Sequence, residues 1–359
     1  MVAVLITGGA GFIGSRLAVS LCKSQHAVTV LDNLHPQVHG PAARSPEFPS
    51  GVRFIHASIE DREAVAAAIT ASDPVTVFHL AAETGTGQSY DEIHRYCAVN
   101  VEGTAILLEE LRRRTRRLQR VVLAGSRAVY GEGAHRTNSG ALIVPPPRHA
   151  SSMRAGDFLP RDESGFPLTP VPTSEASPPA PGSVYASTKL MQEYLLQQCF
   201  SGTGVAPVIL RFQNVYGPGQ SLRNPYTGVL SIFCSQILAR RELNIYEDGD
   251  IVRDFVFVDD VVEALALAAA APDPGPDPIN IGSGVASTIR ETASLLLALL
   301  GAPADRYHIS GEFRVGDVRH AVADITRASE NLGWRPATNL ATGLAALAVW
   351  ARAELADGG

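Results

Sequence analysis

The apolar run Val2-Ala3-Val4-Leu5-Ile6 leads without a break into Thr7-Gly8-Gly9-Ala10-Gly11-Phe12-Ile13-Gly14. Five consecutive apolar residues leave no face for water, so the run predicts a strand buried on both sides, as in parallel sheets. The glycines follow at once, and Ser15 to Cys22 then reads as a helix. Strand, tight turn and helix N-terminus in that order gather backbone N–H groups and a positive helix end at one point, which suits a pyrophosphate. Gly8, Gly11, Phe12, Ile13 and Gly14 are the candidate residues for it. A second strand, Ala27 to Leu31, ends in Asp32, eighteen residues after Gly14. A carboxylate there can accept hydrogen bonds from ribose hydroxyls and would repel a 2′-phosphate, so the pattern predicts NAD rather than NADP.

Strand and helix signals alternate up to about residue 125. Strand candidates are Val2–Ile6, Val28–Asp32, Phe54–His56, Val75–Leu80 and Val121–Ala124, with a further one at Pro207–Arg211. The alternation predicts an α/β fold: a Rossmann-type doubly wound parallel sheet, with a smaller mixed α/β substrate-binding lobe. Residues 132–182 break the pattern with clustered prolines, among them Pro145-Pro146-Pro147 and Pro178-Pro179. They predict a long irregular insertion without helix or strand. Beyond it, Leu230–Arg240 and Ser287–Leu300 read as helices and Leu243–Tyr246 as a strand. The expected division is 1–215 for the dinucleotide domain and 216–359 for the smaller lobe, with 250–271 packing back on the larger one.

The chain has 359 residues, 45% of them hydrophobic, and a net charge of −6. That balance suits a soluble globular protein and offers no attraction to nucleic acid or to acidic membranes. The one dense basic stretch, Arg112 to Arg117, falls at the end of a predicted helix, where cations complement the dipole. The N-terminus lacks the charged region of a signal peptide, and no stretch is long and apolar enough to span a membrane. Cys22, Cys97, Cys199 and Cys234 have no metal-ligand spacing; they predict buried free thiols, a reducing cytoplasm and no metal.

Tyr185-Ala186-Ser187-Thr188-Lys189 places a phenol and an ammonium one helical turn apart. With Lys189 beside it, Tyr185 is expected to have its pKa lowered toward working pH, fit to take a proton from a sugar hydroxyl.

Together with His79-Leu80-Ala81-Ala82, Val99-Asn100, Ser126 four residues before Tyr130, Arg211 to Pro218 and Arg253-Asp254-Phe255-Val256, these motifs resemble the extended short-chain dehydrogenase/reductase family in its nucleotide-sugar epimerase/dehydratase branch. The resemblance runs nearly end to end. It implies Asp32 and Asn33 on the adenosine ribose, Ser58 and Ile59 on adenine, and Leu80, Ala81 and Ala82 under the pyrophosphate and nicotinamide ribose. Asn100 would brace the adjoining loop, Val215 belongs with the cofactor set, and Lys189 would also bind the nicotinamide ribose. Ser126, Tyr185 and Lys189 are the implied catalytic residues, Ser126 bonding the sugar hydroxyl that is oxidised. For substrate it implies Asn214 on phosphate or sugar, Arg253 and Arg319 on the diphosphate, and Asn224, Tyr226 and Thr227 on base and phosphate. Glu83, Thr84, Thr86, Gln88, Ser89 and Arg127 would read the hexose.

Within the branch, segments such as Asp32 to Gly40, Gln220 to Gly228 and Arg314 to His320 are most similar to proteins acting on dTDP-L-rhamnose-type 6-deoxyhexoses. Many of those relatives carry paired cysteines in the insertion; here it has none. Arg127 and Ala128 stand where the dehydratases of the family place Asp and Glu, which disfavours dehydration. The resemblance therefore implies 4-epimerisation with NAD. The alternatives are a UDP-hexose or UDP-glucuronate 4-epimerase, a nucleotide-4-ketosugar reductase, and an inactive NAD-binding regulator. It also implies a homodimer through helices such as Asn100–Arg112 and Tyr185–Gln198.

Overall fold

The structure, a computed structural model of the chain, describes residues 2–40, 44–222, 224 and 228–357. Its centre is a seven-stranded sheet in the order Ile279–Ile281, Ala206–Phe212, Arg120–Ser126, Thr76–His79, Ala3–Thr7, Ala27–Asp32, Val52–His56, with every pair parallel. Successive residues of one strand feed opposite faces. Val4 and Ile6 join a core with Leu17 and Leu21 of helix Phe12–Lys23 and Val261 and Leu265 of helix Val258–Ala270. Leu5 joins the other core with Ile69 of helix Arg62–Ser72, Leu107 and Leu111 of Gly103–Arg114, and Leu196 of Val184–Phe200. Burial on both faces is the reason these strands are continuously apolar.

The chain runs outward from Ala3–Thr7 through two strands, then returns to place Thr76–His79 on the other side of the first strand. That reversal opens a crevice at the carboxyl ends of the two central strands, the usual ligand position of such sheets. Gly8 to Gly14 and Leu80 to Ala82 leave the sheet there.

A third core joins helices Val229–Leu238, Ile289–Leu299 and Leu340–Asp357 with the strands Leu243–Ile245 and Phe255–Phe257. Helix Val258–Ala270 and strand Ile279–Ile281 pack with the large sheet instead. The helix predicted to reach Arg117 ends at Arg114, because Thr115 turns extended.

Residues 132–182 correct the expectation of a segment without regular structure. His135–Arg136 pairs antiparallel with Leu142–Ile143 and with Thr169–Pro170, and Ala150–Arg154 is a short helix. Two-residue ladders carry no sequence period. The Arg148 side chain, 3% exposed, ties this segment down: it donates to Glu132 Oε1 (2.9 Å), Phe158 O (3.0 Å), Glu247 Oε1 (2.9 Å) and Asp317 O (2.9 Å). All four cysteines are free, but only Cys234 is buried; Cys97 is exposed, and Cys22 and Cys199 are half-buried. Uniform burial of the thiols was a wrong expectation, since Cys97 ends a helix with one outward face. Among the described residues no helix is long and apolar enough to cross a membrane.

Candidate active site

The glycine turn is shaped by close approach. Gly8 has φ +67°, and a Cβ there would stand 2.6 Å from Ala81 N; one on Gly14 would collide with Gly8 O. Gly11 differs: only Gly8 O, at 3.3 Å, lies within 4 Å of its missing Cβ. Space is therefore left at the mouth of the turn, next to the start of helix Phe12–Lys23, where a pyrophosphate fits. Asp32 is 7% exposed, and its two oxygens accept from Ala10 N (2.9 Å) and Leu34 N (2.8 Å). It thus fastens the glycine turn to the second strand, while lone pairs remain for ribose hydroxyls.

Two adjoining cavities share Gly8, Gly11, Leu80, Ala82, Thr84 and Asn224. The first also has Asp32, Asn33, Ile59 and Ala81 on its wall. Its rim is polar. Gln37 and Gln88 exchange amide hydrogen bonds (2.9 and 3.1 Å), Gln37 donates to Asn224 Oδ1 (3.2 Å), and Arg95 donates to Gln37 Oε1 (3.4 Å) and Glu83 Oε2 (2.6 Å). Ser58 lies outside both cavities, bonded to Glu60. Asn100 is fully buried in a π-helical turn, Ala98–Glu102, a feature that often marks functional positions. It accepts from Glu83 N (2.7 Å) and donates to Glu83 O (3.1 Å) and Thr188 Oγ1 (3.0 Å).

The second cavity gathers Phe12, Ile13, Gly14, Thr86, Ser126, Arg127, Tyr185, Lys189, Asn214 and Val215. Ser126 ends its strand and caps the next turn, accepting from Ala128 N (3.2 Å). Tyr185 and Lys189 lie on helix Val184–Phe200, whose N-cap Ser183 accepts from Ala186 N. Burial raises the Tyr185 pKa; the neighbouring Ser126 hydroxyl and the positive charge of Arg127 pull the other way. This corrects the sequence expectation. Lys189 is not the cation that acts on the phenol, because its amine turns to Gln192 Oε1 (2.6 Å). Burial brings Lys189 itself down to about 8, against the opposing effect of Glu193. Burial and the nearby Arg253 bring Arg127 down to about 10. No hydrogen bond or ion pair engages the Arg127 guanidinium among the described residues.

Several predicted substrate residues stand elsewhere. Arg319 is held by Glu247 (2.8 Å) and Asp248 (2.6 Å), and Arg253 donates to Asp317 Oδ1 (2.6 Å) and Val318 O (2.9 Å). Neither lines the cleft. Glu83 lines the first cavity, Gln88 is buried behind it and bonded to Gln37, and Ser89 is fully buried, donating to Thr86 O (2.6 Å). Tyr226 and Thr227 lie outside the described residues. Gln213, missed in the sequence, lines the cleft beside Asn214; both carry a buried side-chain oxygen without a hydrogen-bond partner among the described residues. Its only sequence signal was its place inside the Arg211 to Pro218 motif. Among the described residues no cluster of three His, Cys, Asp or Glu could hold a metal.

A parallel sheet with a glycine cradle at its reversal and a Ser–Tyr–Lys set beside it defines a dinucleotide-dependent enzyme of the Rossmann class. The chain belongs to the NAD dependent epimerase/dehydratase family, whose model matches residues 4–152 and 163–282. NAD is the cofactor of that family. The chain is 39% identical over 98% of its length, and 95% of the relative's, to a dTDP-L-rhamnose 4-epimerase of Burkholderia thailandensis. The UDP-glucose 4-epimerase of Thermotoga maritima, solved with UDP-glucose, superposes with a TM-score of 0.79 at 30% identity, covering 98% of this chain and 99% of that one. MoeE5, solved with UDP-glucuronic acid and NAD, superposes with a TM-score of 0.77 at 31% identity, covering 98% and 99%.

Proposed function

We propose that this protein is a nucleotide-sugar 4-epimerase that acts on a dTDP-6-deoxyhexose of the L-rhamnose type. The observation that carries the reading is that Ser126 and Tyr185 line one cleft in which Arg127 and Ala128, and no carboxylate, follow Ser126. Without a carboxylate there, nothing in that position removes a C5 proton, and oxidation with return at C4 is the chemistry left to the set. NAD, when bound, supplies hydride acceptance and return. Gly8 to Gly14 and Asp32 would hold its pyrophosphate and ribose, and Lys189 its second ribose. Tyr185 is the base that takes the C4 hydroxyl proton, with Ser126 and Arg127 opposing the burial that raises its pKa. It returns that proton to the C4 oxygen once the other face of the 4-keto sugar has been presented. Ser126 donates to the same oxygen, and the unpartnered oxygens of Gln213 and Asn214 suit sugar hydroxyls.

The test is incubation with dTDP-L-rhamnose in D₂O without added cofactor, followed by proton NMR. A 4-epimer free of carbon-bound deuterium is the expected product; deuterium at C3 or C5 means enolisation and overturns the mechanism. A second reading, a UDP-glucuronate 4-epimerase, is favoured by one observation: the uncommitted Arg127 guanidinium, which could pair with a C6 carboxylate.

We also propose the functional division 1–215 and 216–359, a cytoplasmic location suited to four free thiols, and a homodimer. Met191 and Tyr194 expose 45% and 49% of their surfaces on helix Val184–Phe200, one of the two expected to meet a second copy. Tyr194→Glu should convert the dimer to monomer in light scattering; a wild-type monomer overturns that assembly.

A further inference from the structure

Lys189 does not stand alone in the protein interior. A line of buried polar groups runs from the first strand of the sheet to its amine. Thr104 is the fixed point. Its hydroxyl is 2.6 Å from Asn100 O, a carbonyl that can only accept, so its one proton is used there. Thr104 Oγ1 must then accept from Gln192 Nε2 at 2.7 Å, and His79 Nε2 lies 2.8 Å from the same oxygen and 3.3 Å from Gln192 Nε2. Burial and the charge of Lys189 bring the His79 pKa down to about 3, so the ring is neutral with a single N–H. His79 Nδ1 meets Thr7 Oγ1 at 2.7 Å. The Gln192 amide nitrogen is committed to Thr104, so its oxygen is obliged to face Lys189, which donates to it at 2.6 Å. Gln192 and Thr104 are 0% and 1% exposed, so no water competes for these positions.

We infer that Gln192 is a positioning residue for the reaction: held by Thr104, it fixes the Lys189 amine by one N–H and leaves the other donors to the cleft. This rests on the reading of Lys189 as part of the reacting set. A lysine tuned by burial alone would hold its ammonium poorly. The titratable groups around it are His79 from the sheet, Tyr185 and Glu193 from its own helix, and Arg211, which takes up Glu193 through bonds of 2.7 to 3.2 Å. Glu193 is thus already paired, and Gln192 Oε1 is the acceptor in direct contact with the ammonium.

The chain has two lysines, Lys23 and Lys189. Protein labelled with ¹³C and ¹⁵N in lysine alone therefore gives two side-chain signals, and the pH titration of Lys189 is read directly, without any turnover. Losing a hydrogen bond to an ion shifts such a titration by about one pH unit or more. In Gln192→Leu, the Lys189 transition should move down by that amount, and the alkaline limb of kcat/KM should move with it. In Gln192→Glu, a carboxylate of nearly the same shape should move both upward. NAD affinity measured by calorimetry should fall about tenfold in Gln192→Leu and recover in part in Gln192→Glu. An unchanged Lys189 titration in either folded variant overturns the inference. If Gln192→Leu fails to fold, Gln192→Glu and Thr104→Val give the same readout. A wild type inactive on dTDP-sugars would refute the proposed function but leave the Lys189 titration to decide this point.

Discussion

Replacing Tyr185 with phenylalanine removes the phenol oxygen that meets Ser126 while leaving the ring against Tyr96, 6.3 Å between centroids. General acid–base help is typically worth ~10²–10⁴-fold, so kcat of Tyr185→Phe should fall by about that factor with NAD binding retained. Turnover near wild type would remove Tyr185 from the mechanism. That Ser126, Tyr185 and Lys189 share one cleft was legible in advance, Tyr185 and Lys189 through their spacing and Ser126 through the family resemblance. The direction of the Lys189 amine was not. It depends on Gln192, whose partner Thr104 is 88 residues away in the chain. Asp32 shows the same limit: its position after the second strand signals a ribose contact, but its grip on Ala10 and Leu34 exists only once two turns are folded together.

Elements with a strong apolar period could be read, and elements made by pairing alone could not. Six of the seven strands of the main sheet were visible as apolar runs. The seventh, Ile279–Ile281, is three residues long and has Asn280 at its centre. That asparagine is fully buried because it accepts from Tyr130 Oη (2.8 Å) and donates to Thr173 O (3.0 Å) and Asp324 O (3.1 Å). The proline-rich insertion is a similar case, since its order comes from Arg148 and partners 99 and 169 residues downstream as well as nearby. Removing one member of a buried ion pair leaves the others uncompensated, commonly at about 3–5 kcal/mol. Arg148→Met should therefore lose stability of about that size in denaturant melts. A change within about 0.5 kcal/mol, the usual range for surface substitutions, would show that the segment is held by something else.

For the molecule as a whole, the fold was legible because a strand, a glycine turn and a carboxylate at one spacing admit few arrangements. The return of residues 258–281 to the main sheet needed tertiary packing to be seen in full. That packing has a consequence for acid stability. Burial lowers His79 to about 3 and His320 to about 4, from an ordinary 6.5. Below pH 6.5 the unfolded chain takes up protons at both rings and the native chain does not, so stability is fully present above pH 6.5 and declines as pH falls toward 4 and 3. Denaturant melts between pH 6.5 and 5, before most carboxylates titrate, should show that decline, and His79→Gln should flatten it. A pH-independent wild type in this window would contradict the burial of the two rings as neutral groups. The bridge of Gln37, Gln88 and Asn224 at the rim of the first cavity bears on a different matter. A dinucleotide bound behind those amides would trade places with the surrounding pool only as often as they part. Under such slow exchange, a catalyst that restores its own oxidant every cycle runs at a pace set by sugar supply, insulated from swings in the cell's balance of oxidised and reduced coenzyme.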